Sequence, residues 1–334
     1  MTGPQLPTAR GALSAAVLGT LLGSEAEPLP LDGHDPYGDD LQLALYLLYE
    51  LHYRGFEGVA DEREWDPELL AHRRALEQCF LQELRLDVPA DTDADQTLAA
   101  LLVEPANPGE SSVSRHLECD SELWQLREYA AVRSLYHLKE ADPHAWVIPR
   151  LRGRAKAAMV AIEFDEFGAG RADEIHAQLF AELMRDLGLE TTYGHYLEAA
   201  PAEALATVNL MSLFGLHRAL RGALVGHFAA VETTSSPGSR RLAAALRRLG
   251  AGAAAQRFYD EHVEADAVHE QVVRRDVVGG LLEVEPQLES DICFGVQATG
   301  FLEDRLGAHL LKAWRQRHSA LRLPLADIAE RKQP

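Results

Sequence analysis

Apolar residues recur with the period of an α-helix along almost the whole chain. The same windows are rich in Ala, Leu, Glu and Arg, which favour helix, and no stretch alternates apolar and polar residues as a half-buried strand would. The pattern therefore predicts an all-α fold. The last two windows are long enough to require a kink, expected at Gly279-Gly280 and near Gly300. Helices are predicted at residues 41–53, 67–86, 97–103, 120–139, 147–167, 172–187, 201–231, 239–249, 253–284 and 286–318.

An acidic stretch punctuated by proline and glycine runs through residues 87–115 and separates two helical parts. At 334 residues the chain is long enough for one large domain or two modest ones. We predict a helical bundle at residues 116–324, preceded by a small helical module at residues 1–115 and followed by a tail at residues 325–334. Within the module, residues 41–53 are too apolar to lie exposed and must cover another surface.

The chain carries 52 acidic residues against 32 lysines and arginines, a formal charge of −20. This charge repels nucleic-acid phosphates and anionic lipid headgroups, so we expect neither a nucleic-acid nor a membrane partner. No apolar run reaches the roughly 18 residues that a membrane-spanning helix needs. The three cysteines form no CxxC pair, which fits a reducing compartment, and a cytoplasmic protein is expected.

One segment carries metal-ligand residue types at helical spacing: His262, Asp266 and His269. These positions are i, i+4 and i+7, so their side chains fall within a narrow arc of one helical face. Two imidazoles and a carboxylate on one stripe are what a first-row transition metal takes from a single helix. The alternative is a solvated polar face, although the interleaved valines and alanines favour partial burial. This segment alone leaves both interpretations open.

A second candidate set lies in the segment AIEFDEFGAG, which contains Glu163, Asp165 and Glu166 and is followed by His176. On an ideal helix Glu166 and His176 would be about 80° apart. The two glycines between them allow a bulge or a change of direction that brings the two side chains together.

Two further acids stand at positions that helix stability does not explain. Glu232 follows a stretch nearly without charge, where a lone acid is costly unless it is paired or metal-bound. The alternative is an exposed acid at a helix end. Glu140 lies at the predicted C-terminal end of a helix, where the macrodipole disfavours an anion. Carboxylates and imidazoles in this number suit two iron or manganese ions in a bundle core better than the smaller shell of zinc.

In this order and at this spacing, the candidate ligands resemble those of the haem-oxygenase-like di-iron oxidases and oxygenases. The flanking phrases KEADPHAW, FGLHRALRGALVGH and FYDEHVEADAVHEQV belong to the resemblance, which covers roughly residues 116–320. It is closest to the N-oxygenase branch, which includes the central domain of the streptozotocin-pathway N-nitrosating enzyme. The matched positions are Glu140, Glu166, His176, Glu232, His262, Asp266 and His269.

The resemblance implies a haem-oxygenase-like helical bundle that binds two Fe(II) ions instead of haem and uses O₂ as co-substrate. Each matched residue would take part in catalysis as a metal ligand. Glu166 would bridge the two irons. One iron would be served by His176, Glu232 and His269, and the other by Glu140, His262 and Asp266.

The implied reaction is the oxygenation of a nitrogen in a small amine, guanidine or amino-acid-derived substrate of secondary metabolism. Its electrons would come from an external donor, because the chain shows no flavin or iron–sulfur motif. One alternative is an oxidase of the same fold that cleaves C–C or C–H bonds of an amino or fatty acid. Another is a non-catalytic helical metal-binding protein. Glu140 separates the first two, since this extra carboxylate is typical of the N-oxygenase branch.

In relatives, a helical module like residues 1–115 mediates dimerisation, so the resemblance implies a homodimer. The cupin that follows the bundle of the N-nitrosating enzyme has no counterpart in these 334 residues. We therefore do not expect the rearrangement that the cupin catalyses.

Other polar residues have competing interpretations. Arg218 and Arg221 could bind a substrate carboxylate, or could pair with acids of a neighbouring helix. A structural role is predicted for seven histidines that have no ligand partner at metal spacing: His137, His144, His195, His217, His227, His309 and His318.

Overall fold

The computed structural model describes all but a few short segments of the chain. Every regular element in this described part is a helix, which confirms the all-α prediction. Among these helices, none combines the length and hydropathy that crossing a bilayer requires. The described residues are 3–25, 28–88, 93–103 and 112–330, without the side chains of residues 264–267 and 329–330.

The α-helices are numbered in chain order, and short 3₁₀ turns join several of them. A π-helical segment covers Val273–Val278. The helices are α1 (Ala12–Leu21), α2 (Asp39–Glu50), α3 (Pro67–Asp87), α4 (Ala94–Leu101), α5 (Val113–Cys119), α6 (Leu123–His137), α7 (Asp142–Ala145), α8 (Gly153–Glu166), α9 (His176–Asp186), α10 (Ala202–Leu216), α11 (Arg221–Arg248), α12 (Ala253–Val272), α13 (Gly279–Val284), α14 (Glu289–Arg315) and α15 (Leu325–Glu330).

Helix α11 forms the centre of the bundle and packs along both α12 and α14. Two glycines bring α11 and α14 into backbone contact. A Cβ on Gly226 would lie 2.0 Å from the carbonyl oxygen of Ile292, and one on Gly295 would lie 2.0 Å from that of Ala223. Any larger residue at either position would force the helices apart. This contact fixes the part of α11 that carries Glu232.

The two predicted parts of the chain share one hydrophobic core. Ten of the 12 residues of α2 are buried, and the helix packs against α1, α3 and α10. Leu43 and Leu45 belong to the same apolar cluster as Phe214 of α10 and Phe294 of α14. The apolar surface of α2 is therefore covered within the chain. The domain boundary at residue 115 and the homodimer stay predictions.

The predicted helix at residues 201–231 is wrong in one respect, because the 3₁₀ turn Arg218–Leu220 separates α10 from α11. The guanidinium of Arg150 donates to the carbonyl oxygens of Gly215 and Leu216 at the C-terminal end of α10, the latter at 2.9 Å. These bonds satisfy carbonyl groups that have no partner inside the helix. The capping residue comes from a distant part of the chain, so the local pattern does not reveal it.

The interruption predicted between residues 231 and 239 is also wrong, since α11 continues through it with Pro237 inside. Proline in a helix interior costs ~3 kcal/mol. The helix stays continuous because buried residues on both sides of Pro237, Phe228 and Leu246 among them, hold it against the bundle. Glu232 therefore lies inside a long helix and not at an exposed helix end.

The two predicted kinks have different outcomes. The helix predicted at residues 253–284 is interrupted by the π-helical segment, which ends immediately before Gly279. The helix predicted at residues 286–318 is α14, which continues without interruption at Gly300, so that kink is wrong.

Candidate metal centre

Six of the seven predicted ligands come together inside the bundle, each with an exposed fraction of at most 7 %. Among the described residues their ligand atoms form two groups, and within each group all three atoms lie within 4.8 Å of one another. We name these six residues the carboxylate–histidine cluster. Its first group is Glu140, His176 and His262, and its second group is Glu166, Glu232 and His269.

Four segments besides α11 supply the cluster. Glu140 lies in the turn after α6, Glu166 is the last residue of α8, and His176 is the first residue of α9. His262 and His269 lie two turns apart on α12. Both are buried, so the solvated-face alternative is wrong for these two histidines.

The turn between α8 and α9 removes the angular mismatch between Glu166 and His176. Residues 168–170 all have a left-handed backbone, with φ of 72° at Gly168. A Cβ on Gly168 would also lie 2.7 Å from the backbone of Glu174, so a glycine is needed where the chain folds back. As a result, Nδ1 of His176 lies 2.7 Å from Oε2 of Glu166.

Glu166 lies between the two groups. Its Oε2 is 2.7 Å from Nδ1 of His176 in the first group, and its Oε1 is 3.6 Å from Nδ1 of His269 in the second. Two oxygens of one carboxylate thus face histidines of different groups, which is the placement that a bridging carboxylate needs. The position of His176 differs from the implied one, because it lies with Glu140 and His262 and not with the second group.

His262 is already oriented as a metal ligand. Its Nδ1 lies 2.7 Å from the carbonyl oxygen of Phe258, and a carbonyl oxygen only accepts hydrogen bonds. Nδ1 therefore carries the proton, and Nε2 presents a lone pair. That Nε2 is buried and has no hydrogen-bond partner among the described residues. A backbone carbonyl that fixes the tautomer of an imidazole is the usual support of a metal-ligating histidine.

The cluster lacks a permanent positive charge. In the described part of the chain, the ion pairs of its three carboxylates are all with histidines. Burial raises the pKa of Glu232 to about 7. Although burial opposes it, the carboxylate of Glu232 raises the pKa of His269 to about 9. Excess buried carboxylate of this kind fits a bound divalent cation.

Residues 127–304, just over half of the chain, match the family described as iron-containing redox enzyme, whose fold is haem-oxygenase-like. The chain belongs to this family. No curated protein matches the chain. The matched range contains the whole carboxylate–histidine cluster, and membership implies iron as the metal. It also confirms the haem-oxygenase-like fold predicted from the sequence.

The seventh predicted ligand, Asp266, belongs to α12, but its side chain lies outside the described residues. Its backbone position is one turn from both His262 and His269. Its part in iron binding stays a prediction.

The sequence analysis misses the role of His137. Its Nδ1 lies 2.9 Å from Oε2 of Glu140, and its ring packs against Phe180 and Phe258, with centroids 4.5 and 5.2 Å away. Although burial opposes it, the charge and hydrogen bond of His137, helped by two cluster histidines, lower the pKa of Glu140 below its ordinary value. The i, i+3 spacing of the two residues is a signal that could have shown this contact.

A cavity of about 900 Å³ adjoins the cluster, and four cluster residues form part of its wall. A small molecule in the cavity would therefore lie next to the carboxylate–histidine cluster. Its size is at the upper end of typical small-molecule sites. The wall also contains the apolar residues Met211, Phe228 and Leu302 and the ion pair of Arg133 with Glu303, whose bonds are 2.8 and 2.5 Å long.

The two arginines proposed for substrate binding do not line this cavity. Nε of Arg221 donates to Glu285 at 2.9 Å, which confirms the structural alternative for this residue, and Arg218 is exposed. By contrast, His144 and His227 do line the cavity, although the sequence analysis predicts a structural role for both. A single histidine in the apolar run GALVGHFAAV was the available signal for His227.

Proposed function

We propose that the chain is a non-haem di-iron oxygenase that uses O₂ to oxidise a nitrogen of a small amine, guanidine or amino-acid-derived substrate. The observation that carries the proposal is the burial of Glu140 beside His176 and His262. The resemblance to the N-oxygenase branch depends on this extra carboxylate. Its position within ligand distance of two histidines supports a role in metal binding.

The two groups of the cluster would each hold one iron, with Glu166 in contact with both and Asp266 as a further ligand. Bound iron would supply the electrons that reduce O₂ and a Lewis acid that stabilises the negative charge formed on oxygen.

The residues around the cluster hold its ligands in place before a metal arrives. His137 holds the carboxylate of Glu140, and the carbonyl of Phe258 holds the ring of His262. Such bonds reduce the reorganisation that metal binding would otherwise require. Burial, reinforced by Glu140, raises the pKa of Tyr136 well above its ordinary value, so this cavity-lining phenol keeps its proton.

The reaction balance requires an external reductant. Conversion of an amine to a hydroxylamine takes one oxygen atom from O₂, while the other leaves as water. Two electrons and two protons complete this balance. The chain shows no flavin or iron–sulfur motif, so a reductase or a small-molecule reductant would deliver the electrons.

The test begins with anaerobic Fe(II) loading, a count of iron per chain and measurement of O₂ uptake. A panel of amines, guanidines and amino acids is then supplied with ¹⁸O₂ and a reductant. We expect close to two irons per chain and a product carrying one ¹⁸O on nitrogen. Glu140→Ala should lower both iron content and product, whereas a control at the exposed His318, His318→Gln, should leave both unchanged.

Other outcomes identify the alternatives. Products cleaved at carbon, without an N–O bond, would replace the proposal by an oxidase of the same fold. Iron uptake without O₂ consumption for any member of the panel would favour a metal-binding protein without catalysis.

A further inference from the structure

Two histidines that take no part in the metal cluster lie in the wall of the adjoining cavity. His144 and His227 are 1 % and 4 % exposed, and their ring centroids are 5.2 Å apart. The same cavity wall contains Glu140, Glu166 and Glu232. The pair therefore faces the space in which a substrate would meet the iron ligands.

Hydrogen bonds determine which nitrogen of His227 carries the proton. The hydroxyl of Thr299 donates its single hydrogen to the carbonyl oxygen of Gly295 at 2.7 Å. Oγ1 of Thr299 must therefore accept the bond that joins it to Nδ1 of His227 at 2.8 Å. Nδ1 carries the proton, and Nε2 of His227 is left as a bare acceptor.

That acceptor is unsatisfied within the chain. Nε2 of His227 and Nε2 of His144 are both buried without a hydrogen-bond partner among the described residues. Burial lowers the pKa of His144 to about 4 and the pKa of His227 well below its ordinary value, so both rings stay neutral. A ligand N–H that bonded to either atom would remove the cost of leaving a buried acceptor unsatisfied.

The charge of the cavity selects the kind of donor. Acidic side chains outnumber basic ones in the described wall, and this balance favours a basic nitrogen over a neutral alcohol or an acid. Apart from Glu140, Glu166 and Glu232, whose charge the iron ions would offset, the acidic residues are Glu270, Glu303 and Asp304, against Arg133 and Arg241.

We propose that Nε2 of His227 accepts a hydrogen bond from an N–H group of the substrate and so makes His227 a specificity-determining residue for amines and guanidines. This inference rests on the proposed function. Thr299 acts as a positioning residue because it fixes the tautomer of His227. His144 lines the same part of the wall beside it.

The experiment measures binding without turnover. Fe(II)-loaded protein is titrated anaerobically, by calorimetry, with n-butylamine, L-lysine and L-arginine. The first two are compared with butyltrimethylammonium and Nε-trimethyl-lysine, which keep the positive charge but carry no N–H group on the methylated nitrogen. The variants are His227→Phe, Thr299→Val and the exposed control His318→Gln, each checked for helix content and iron per chain.

We expect the wild-type protein to prefer at least one N–H probe over its trimethylated counterpart by about 10-fold, the equivalent of one buried hydrogen bond. The preference should fall below about 3-fold in His227→Phe and persist in His318→Gln. Thr299→Val should weaken the preference for N–H probes, and in this variant the ¹⁵N chemical shifts of the His227 imidazole should show a changed tautomer. This readout serves as the test if His227→Phe does not fold.

Absence of any preference in the wild-type protein would overturn the inference, and so would a full preference in His227→Phe. A His227 protonated at Nε2 would overturn it as well. These results are separate from a failure of the proposed function. An N–H preference that depends on His227, without an N-oxygenated product, would contradict the proposed reaction alone.

Discussion

Two buried clusters of charged groups adjoin each other, since Lys139 belongs to one and Glu140 to the other. In the first, Nζ of Lys139 donates to Oε2 of Glu50 at 2.6 Å, and the hydroxyl of Tyr193 donates to both oxygens of Glu50 at 2.7 and 2.9 Å. The ring of Tyr53 lies 4.4 Å from the same Nζ. We name Glu50, Lys139 and Tyr193 the lysine cluster.

The difference between the clusters lies in how their charge is balanced. In the lysine cluster the carboxylate has a cation and a hydroxyl donor as partners, and the cation has aromatic rings as further neighbours. In the carboxylate–histidine cluster the described ion pairs of the three carboxylates are all with histidines, none of which carries a permanent charge. Burial alone therefore does not indicate function. A complete buried pair indicates a structural role, whereas an excess of one charge indicates a site for a ligand of the opposite charge.

The largest expected effect is on the unbalanced cluster. Glu166→Ala removes the carboxylate that contacts histidines of both groups, so iron content should fall from about two per chain to well below one, a loss in affinity greater than the ~10–100-fold typical of outer-shell changes. Glu232→Ala removes a carboxylate that belongs only to the second group, so iron content should fall by about one ion per chain. Iron per chain after anaerobic loading and desalting measures both. If Glu166→Ala still held two irons, the bridging position would be wrong.

Lys139→Met tests the balanced cluster. It leaves Glu50 buried without a cation, which should reduce the free energy of unfolding by about 3–5 kcal/mol. The double variant Glu50→Gln with Lys139→Met should recover much of that loss. Urea denaturation measures both, and the exposed Lys312→Met is the control. A loss in the double variant equal to the single one would show that the ion pair is not the cause.

His137→Phe tests whether the hydrogen bond from His137 to Glu140 serves iron binding and not stability. It keeps the ring packing against Phe180 but removes the hydrogen bond to Glu140, so iron affinity should fall by ~10–100-fold while the free energy of unfolding of the metal-free protein changes much less. Competition with a chromogenic Fe(II) chelator measures the affinity. An unchanged affinity would show that Glu140 does not depend on this bond.

The smallest effect concerns Glu163, which is buried one turn before Glu166 and whose oxygens have no hydrogen-bond partner among the described residues. Burial, with nearby carboxylates, raises its pKa from 4.5 to about 9. The folded state therefore keeps a proton that the unfolded chain releases, and the resulting stability is lost as pH rises toward 9. The exposed Glu57 offers a matched control.

Between pH 5.5 and 7.5, the free energy of unfolding of the metal-free wild type should fall by roughly 2–3 kcal/mol more than that of Glu163→Gln. Glu57→Gln should behave as the wild type does. Urea titrations at the two pH values give the comparison, and equal pH dependence in wild type and Glu163→Gln would contradict the raised pKa.

The sequence predicted much of the fold because helical periodicity and caps are local signals. The N-cap Asp66, whose side chain accepts from two backbone amides, and Pro67 behind it mark the start of α3 where it was predicted. The break after α10 depends on Arg150, and the continuity of α11 through Pro237 depends on tertiary packing. Neither is visible in a local window.

The candidate site was likewise predictable where the signal is local and not where it depends on tertiary packing. The stripe of His262 and His269 follows from spacing alone, and the other ligands were found by their order along the chain. The grouping of His176 with Glu140 depends on the exact turn at Gly168, which spacing does not determine. The role proposed for His227 depends on its hydrogen bond to Thr299, and that contact forms only in the assembled bundle.

The lysine cluster also predicts which residues should change together among relatives of this chain. Glu50 belongs to α2, in the N-terminal part of the chain, while Lys139 precedes Glu140 of the carboxylate–histidine cluster. A bundle separated from α2 would leave a buried ammonium without its carboxylate beside the metal centre. A relative that carries this bundle without a helix equivalent to α2 should therefore have lost the lysine at position 139, or should have acquired another acid to meet it.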